Sequence, residues 1–281
     1  MKFLRKIFGP NKATTPAAVP PARDAEADPD ITSSTGLPTE NAEVDPEQLL
    51  ALLEPVKRTA YIPVTEEVER THSAHSKMGG YPYLSLEHSW PVCPNCGQHM
   101  QLFLQLNLQD LPERKEDGLV QLFYCTNDEP CCEIDCGAYD HFAKSVVCRR
   151  LAIGSKQSVI VNPLLSEVFP EKKIVGWSPV DDYPSYDELE ELGIDIDIDA
   201  YEVLYDTEKG LPVSGDKLFG WPYWVQNVEY PYDRETGSRM ELLFQIDSEV
   251  NLPYMFGDVG VGHLTVSKDD PNELAFGWAC H

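Results

Sequence analysis

Met100-Gln101-Leu102-Phe103-Leu104-Gln105-Leu106 and, 140 positions downstream, Met240-Glu241-Leu242-Leu243-Phe244-Gln245-Ile246 carry the reading of the fold. Met100, Leu102, Leu104 and Leu106 alternate with Gln101, Phe103 and Gln105, the pattern of a strand with one face buried. Met240, Leu242, Phe244 and Ile246 repeat it. The same shift of 140 aligns longer stretches without a gap: Gly80-Tyr81-Pro82-Tyr83 falls on Gly220-Trp221-Pro222-Tyr223, and Trp90-Pro91 on Tyr230-Pro231. Gly97 meets Gly237, and Gln105 meets Gln245. Further on the offset becomes 142, with Gly118-Leu119-Val120-Gln121-Leu122 over Gly260-Val261-Gly262-His263-Leu264. Two related β-rich halves follow, about 58–160 and about 200–281.

A glutamine amide inside a buried strand must find partners, and the backbone of the Gly-x-Pro-Tyr loop supplies them, so Gln105 and Gln245 read as structural. Leu119 to Cys125, apolar on both faces, reads as an interior strand; Arg58 to Val64 and Lys173 to Trp177 are further strands. Asp45-Pro46-Glu47-Gln48 has the order of an N-cap, an N1 proline and a glutamine at N3, so a short helix opens there and stops near Pro55. Ser185 to Leu192 reads as a short acidic helix. The expected class is α+β: a β-sheet-dominated, internally duplicated unit with few helices. Residues 1–44, rich in Pro, Ala, Ser, Thr and acids, have little to bury and are expected to form a disordered tail. Residues 45–281 are expected to form a single domain of two halves, joined by an acidic segment, 181–208.

With 47 acids against 22 bases, the chain of 281 residues carries a net charge of −25. That argues against a nucleic-acid partner, which needs a basic face to displace counterions from phosphate, and favours a basic protein partner. No apolar run approaches the roughly 18 residues of a membrane span. Arg5 and Lys6 interrupt the apolar core that a secretory signal needs, so a cytoplasmic location is expected. Twelve acids and no base lie between Asp181 and Glu208. Within that stretch Asp195, Asp197 and Asp199 alternate with isoleucines, which places three carboxylates on one face of a strand. They read either as a solvated edge or as a docking stripe for the basic partner.

The eight cysteines carry the sharpest chemistry. In a reducing compartment, clustered thiols point to metal rather than to disulfides. Cys93-Pro94-Asn95-Cys96-Gly97 is a knuckle whose spacing lets two sulfurs converge on one tetrahedral ion, and zinc suits four thiolates. The other two ligands come from Cys125, Cys131, Cys132 and Cys136. Cys125 and Cys132 are favoured, with Cys136 or Cys131 as the substitute. Cys148 reads as a buried thiol and Cys280 as a bystander. At the repeat offset Cys93 and Cys96 become Asp233 and Thr236, so a comparable unit is built without the knuckle. Four thiolates also leave no open position for water or substrate, and the site reads as structural. His72 and His75 read as an exposed loop pair and His263 as a core or rim histidine. Neither a phosphate loop nor a nucleophile–base pair stands out, so no catalytic or cofactor-binding residue is assigned.

Ser76-Lys77-Met78-Gly79-Gly80-Tyr81-Pro82, Trp90-Pro91, Phe103-Leu104-Gln105-Leu106-Asn107 and Gly118 to Tyr124 resemble the YwqG-like bacterial family of unknown function. Lys217-Leu218-Phe219-Gly220-Trp221-Pro222, Leu243 to Ser248 and Gly257 to Gly260 are similar to its second half. The resemblance covers about 55–281, and the knuckle marks a cysteine-containing subgroup. Around the knuckle, over about 76–150, the chain also resembles the programmed cell death protein 2 family. That second likeness implies chaperoning of a newly made protein of the small ribosomal subunit, and a basic client suits the net charge of −25. The expected function is a non-enzymatic, zinc-stabilised protein-binding module, chaperone-like toward a basic client. Two alternatives stand beside it: an immunity or antitoxin protein that plugs a basic toxin, and an enzyme with an unrecognised pocket between the halves.

Overall fold

A computed structural model of the chain describes residues 45–113, 115–154, 165, 167–205 and 211–281. The tail expected over 1–44 and the last positions of the acidic segment, 206–208, lie outside them. In chain order the elements are α1 (Pro46–Leu53), β1 (Arg58–Val68), β2 (Lys77–Met78), β3 (Gln101–Asn107), β4 (Leu119–Tyr124), α2 (Cys132–Asp135) and β5 (Val146–Leu151). They continue with β6 (Glu171–Asp182), α3 (Tyr186–Glu191), α4 (Ile198–Tyr205), β7 (Lys217–Phe219), β8 (Glu241–Asp247), β9 (Val261–Val266) and β10 (Leu274–Ala279). Among the described residues, ten strands join one antiparallel sheet in the order β10-β9-β8-β7-β1-β6-β2-β3-β4-β5, curled into a nearly closed barrel. The sheet-dominated α+β class is therefore the observed one.

The long hairpin-like pair β1 and β6 stands at the centre of the sheet, Arg58 opposite Asp182 and Val68 opposite Glu171. On either side of it the order is mirrored. β7, β8, β9 and β10 run outward beyond β1, and β2, β3, β4 and β5 beyond β6. β1 precedes the first set in sequence yet pairs with β7 of the second, while β6 pairs with β2.

Alternation does not run the length of β3 or β8. In each strand the ladder slips by one residue, between Leu102 and Leu104 and again between Leu242 and Phe244. A bulge leaves one residue unpaired and changes which face the following side chains take. Phe103, Leu104 and Leu106 therefore all enter the main core, with Leu243, Phe244 and Ile246 from the other side. Met100 and Leu102 pack instead in a separate cluster with the cysteines. The one-face reading of Met100 to Leu106 is corrected accordingly.

Gln105 and Gln245 bond the loop backbone as their burial demands. Gln105 Oε1 accepts the Tyr83 N–H at 2.8 Å, and its amide donates to the Ser73 and His75 carbonyls. Gln245 Oε1 accepts the Tyr223 N–H at 2.8 Å, and its amide donates to the Gly215 carbonyl. Beside each glutamine lies a fully buried lysine. Lys77 Nζ donates to Glu171 Oε2 at 3.1 Å, and Lys217 Nζ to Asp182 Oδ2 at 2.8 Å. The two carboxylates come from the two ends of β6. They also accept backbone N–H groups, Glu171 from Thr71, and Asp182 from Val213 and Trp221. Burial works against ionisation of Glu171, but bonds from His75, the Thr71 N–H and Lys77 hold its carboxyl down at about 2.

α1, α3 and α4 form a small second core through Leu49, Leu53, Leu189, Tyr201 and Leu204. Asp45 caps α1 by accepting the Glu47 N–H, and Ser185 stands at the N-cap of α3. The strand expected through Asp195, Asp197 and Asp199 is absent. Residues 194–197 are loop and Ile198 opens α4, because Asp197 Oδ1 accepts the Asp199 N–H at 3.0 Å and makes a cap there. All three aspartates remain exposed.

Candidate metal centre

The knuckle is a tight turn held by its own backbone. Cys93 N–H donates to the Gln98 carbonyl at 2.8 Å and Gly97 N–H to the Cys93 carbonyl at 2.9 Å. Gly97 has φ +74° with open space where a Cβ would stand, so the glycine answers to backbone conformation and not to crowding. Cys125 immediately follows β4, and Cys132 opens α2, its N–H donating to the Asn127 carbonyl.

These four side chains converge. The Sγ atoms of Cys93, Cys96, Cys125 and Cys132 all lie within 4.8 Å of one another. Cys93 Sγ stands 3.8 Å from Cys132 Sγ, and Cys96 Sγ 3.6 Å from Cys125 Sγ. Four sulfurs each about 2.3 Å from a central ion are about 3.8 Å apart along the edges of the tetrahedron. A disulfide would instead need about 2.05 Å, so these two separations are compatible with a shared metal ion and not with disulfides. Cys93, Cys125 and Cys132 are buried, and Cys96 is partly exposed. Trp90, Met100, Leu102 and Phe123 pack around them.

The thiols do not share one electrostatic environment. Burial opposes ionisation of Cys93, yet the N–H groups of Cys96 and Asn95, with the Cys125 and Cys132 thiols, bring it below the ordinary thiol value. Burial pushes Cys125 up and carries Cys132 to about 11. Asn95 Nδ2 donates to Cys132 Sγ at 3.4 Å, the kind of outer contact that orients a ligand.

Cys131 and Cys136, the substitutes weighed from sequence, cap α2 at either end and lie outside the cluster. Cys148 lies on β5, and burial raises its thiol. Cys280 packs at Gly257, beyond the end of β10.

The matching turn in the second half keeps the backbone and changes the chemistry. Asp233 N–H donates to the Ser238 carbonyl and Gly237 N–H to the Asp233 carbonyl, the same two bonds as in the knuckle. Where Cys93 offers sulfur, Asp233 Oδ1 accepts the N–H groups of Glu235 and Thr236, both at 2.8 Å. Thr236 and Ser238 hydroxyls donate to Asp269. Hydrogen bonds close this turn.

The histidines take separate places. His72 Nδ1 lies 2.9 Å from the Pro82 carbonyl oxygen, and His75 Nε2 lies 2.9 Å from Glu171 Oε1, so the two do not share a ligand position. His263 is buried over Trp224, its Nε2 at 3.2 Å from the Tyr223 carbonyl. The buried pairs Lys77–Glu171 and Lys217–Asp182 were not read from sequence. The identity of Lys77 and Lys217 at the repeat offset was the available signal.

Between the halves a cavity of about 370 Å³ is lined by Leu111, Val120, Phe219 and Leu243. Its rim carries Arg150 paired with Glu116 and Lys268 paired with Glu241. Among the described residues, no helix is long and apolar enough to cross a membrane.

The sequence model of a family described as a domain of unknown function (DUF1963) matches residues 76–280, well over half of the chain. No curated protein matches.

Proposed function

The chain belongs to this family of unknown function, and we propose that it is a zinc-stabilised, non-enzymatic protein-binding module within it. The YwqG-like resemblance and the cysteine-containing subgroup fit that family reading. The observation that carries the proposal is the convergence of the four sulfurs of Cys93, Cys96, Cys125 and Cys132 within 4.8 Å of one another. Zinc accepts four thiolates without redox chemistry and without a geometric preference of its own. A site closed by four protein ligands holds structure and leaves no coordination position for a reaction. Reduced thiols at such a site belong in a reducing compartment, which favours the cytoplasm.

The binding partner we infer is a basic protein, a client in the chaperone-like reading. A net charge of −25 supports it, as do the exposed Asp195, Asp197 and Asp199. Full-length protein made without tags should carry about one zinc per chain by elemental analysis. Cys93→Ser leaves three thiolates uncompensated and should lose both the metal and several kcal/mol of stability (roughly 2–5). Metal-free wild type, with melting unaltered by added zinc, would overturn the assignment.

A further inference from the structure

The sheet does not close on itself by a strand ladder. β5 and β10 stand at opposite ends of the strand order and meet across a seam. What crosses that seam is the segment between β4 and β5, the same segment that supplies two cysteines of the metal centre.

Two seam residues are chain neighbours of cysteine ligands. Tyr124 precedes Cys125, and Glu133 follows Cys132. The Tyr124 hydroxyl donates to Glu133 Oε2 at 2.9 Å and accepts the Trp278 indole N–H at 2.9 Å. From the second half, the Tyr254 hydroxyl donates to the same Glu133 oxygen. The segment then runs along β10. The Tyr139 carbonyl accepts the Trp278 N–H at 3.2 Å, and the Tyr139 ring stands edge-on to Trp278. His141 fills the space over Gly277, where a Cβ would meet its Nε2 at 2.8 Å. Phe142 lies beneath the Arg234 guanidinium, which is paired with Glu273 just before β10.

The segment is fixed to the first half by the cysteines, by the Tyr124–Glu133 bond and by Ala138 in the main core, and its own helix adds little. α2 is four residues long, far below the length at which a helix is stable alone. Its N-terminal residue is Cys132, a ligand. Binding of an ion to such a site is itself folding free energy for the loop that carries the ligands.

We propose that the metal centre is the latch of the barrel: zinc orders residues 125–142, and this segment staples β10 of the second half to β4 of the first. The proposal rests on the zinc reading above. Its consequence is that metal occupancy governs access to the aromatic interior, where Phe103, Tyr124, Phe256 and Phe276 meet, and to the outer edge of β10. An uncovered strand edge is a template for an added strand. Loss of metal thus converts a closed surface into one that an extended peptide can join.

Hydrogen exchange read by mass spectrometry on the full chain, with zinc measured on the same samples, tests this. Stripping zinc with a chelator should speed exchange of β10 amides about tenfold or more, as seam hydrogen bonds are lost. α1, α4, β1 and β6 should be spared. Zinc-loaded Tyr254→Phe, which removes one bond to Glu133, should keep its metal and show a smaller acceleration confined to β10. Faster exchange over 93–132 with β10 unchanged would leave the zinc reading standing and overturn the latch. A chain that takes up no zinc overturns both. Should the stripped protein unfold throughout, Tyr254→Phe decides: unchanged β10 exchange in the loaded variant sinks the proposal.

Discussion

Gly220 holds φ +77°, and a Cβ there would stand 2.2 Å from Asp182 Oδ2. Any side chain at that position must push away the carboxylate that neutralises the buried Lys217. Gly220→Ala is therefore expected to cost about 3 kcal/mol or more, combining left-handed strain with a disturbed buried pair. Denaturant unfolding measures it, and a variant as stable as wild type would show that the pair is not held as described. His263 makes the second residue-scale case. Burial first, then the charges of Lys217 and His141, bring its imidazole down to about 3 against the Tyr223 carbonyl, which favours the proton. The folded chain keeps this ring neutral where the unfolded chain, at about 6.5, takes up a proton. Stability contributed by the neutral ring is thus present above about pH 6.5 and falls away toward pH 3, by a few kcal/mol. Gln121 occupies the matching place in the first half and donates to the Tyr83 carbonyl at 2.8 Å. His263→Gln should therefore fold and show a flatter loss of stability on acidification from about pH 7 to about pH 4.5. An unchanged slope would place the titrating group elsewhere.

Between α3 and α4 the three aspartates sit on a loop and a helix start, with no side-chain partners that the core depends on. Replacing Asp195, Asp197 and Asp199 with Asn keeps the cap at Asp197, since Asn caps as well as Asp, and should change stability by less than about 0.5 kcal/mol. If they dock a basic protein, the triple variant should capture it more slowly and with weaker salt dependence, because exposed charges act mainly on encounter and are screened by salt. Association rates at low and physiological ionic strength, equal for both proteins, would return this segment to plain solvated surface. What could be read at this scale followed the distance over which each signal acts. The knuckle and the cap at Asp45 are local, and their spacing is visible in the chain. The bulges at Phe103 and Leu243 are invisible to a period-2 pattern, because an extra residue in a strand leaves no mark on hydrophobicity. At Asp195 to Asp199 alternation imitated a strand, and a single aspartate cap decided for a helix. Lys77 and Lys217 escaped notice because their carboxylates arrive from β6, 94 and 35 residues away in the chain.

The way the halves share strands sets the cooperativity of the whole barrel. Each half, cut as 58–160 and 200–281, lacks a strand it needs: β6 for the first, β1 for the second. Each also loses the carboxylate of its buried lysine, since Glu171 and Asp182 both belong to β6. A buried ammonium without its partner costs several kcal/mol and is relieved only by losing its proton or by exposure. Neither fragment should therefore fold alone, even though the first one keeps all four clustered cysteines. Intact chain should unfold in a single transition despite its internal repetition, because β1 and β6 melt together and take both halves with them. Circular dichroism and amide dispersion of the two separate fragments, with zinc present, test this at once. A fragment 200–281 that folds without β1 would mean that the central pair joins two independent units, and that Lys217 tolerates burial without Asp182. A fragment 58–160 extended to Asp182 should gain structure over the shorter one, because it recovers both the β2 partner strand and Glu171.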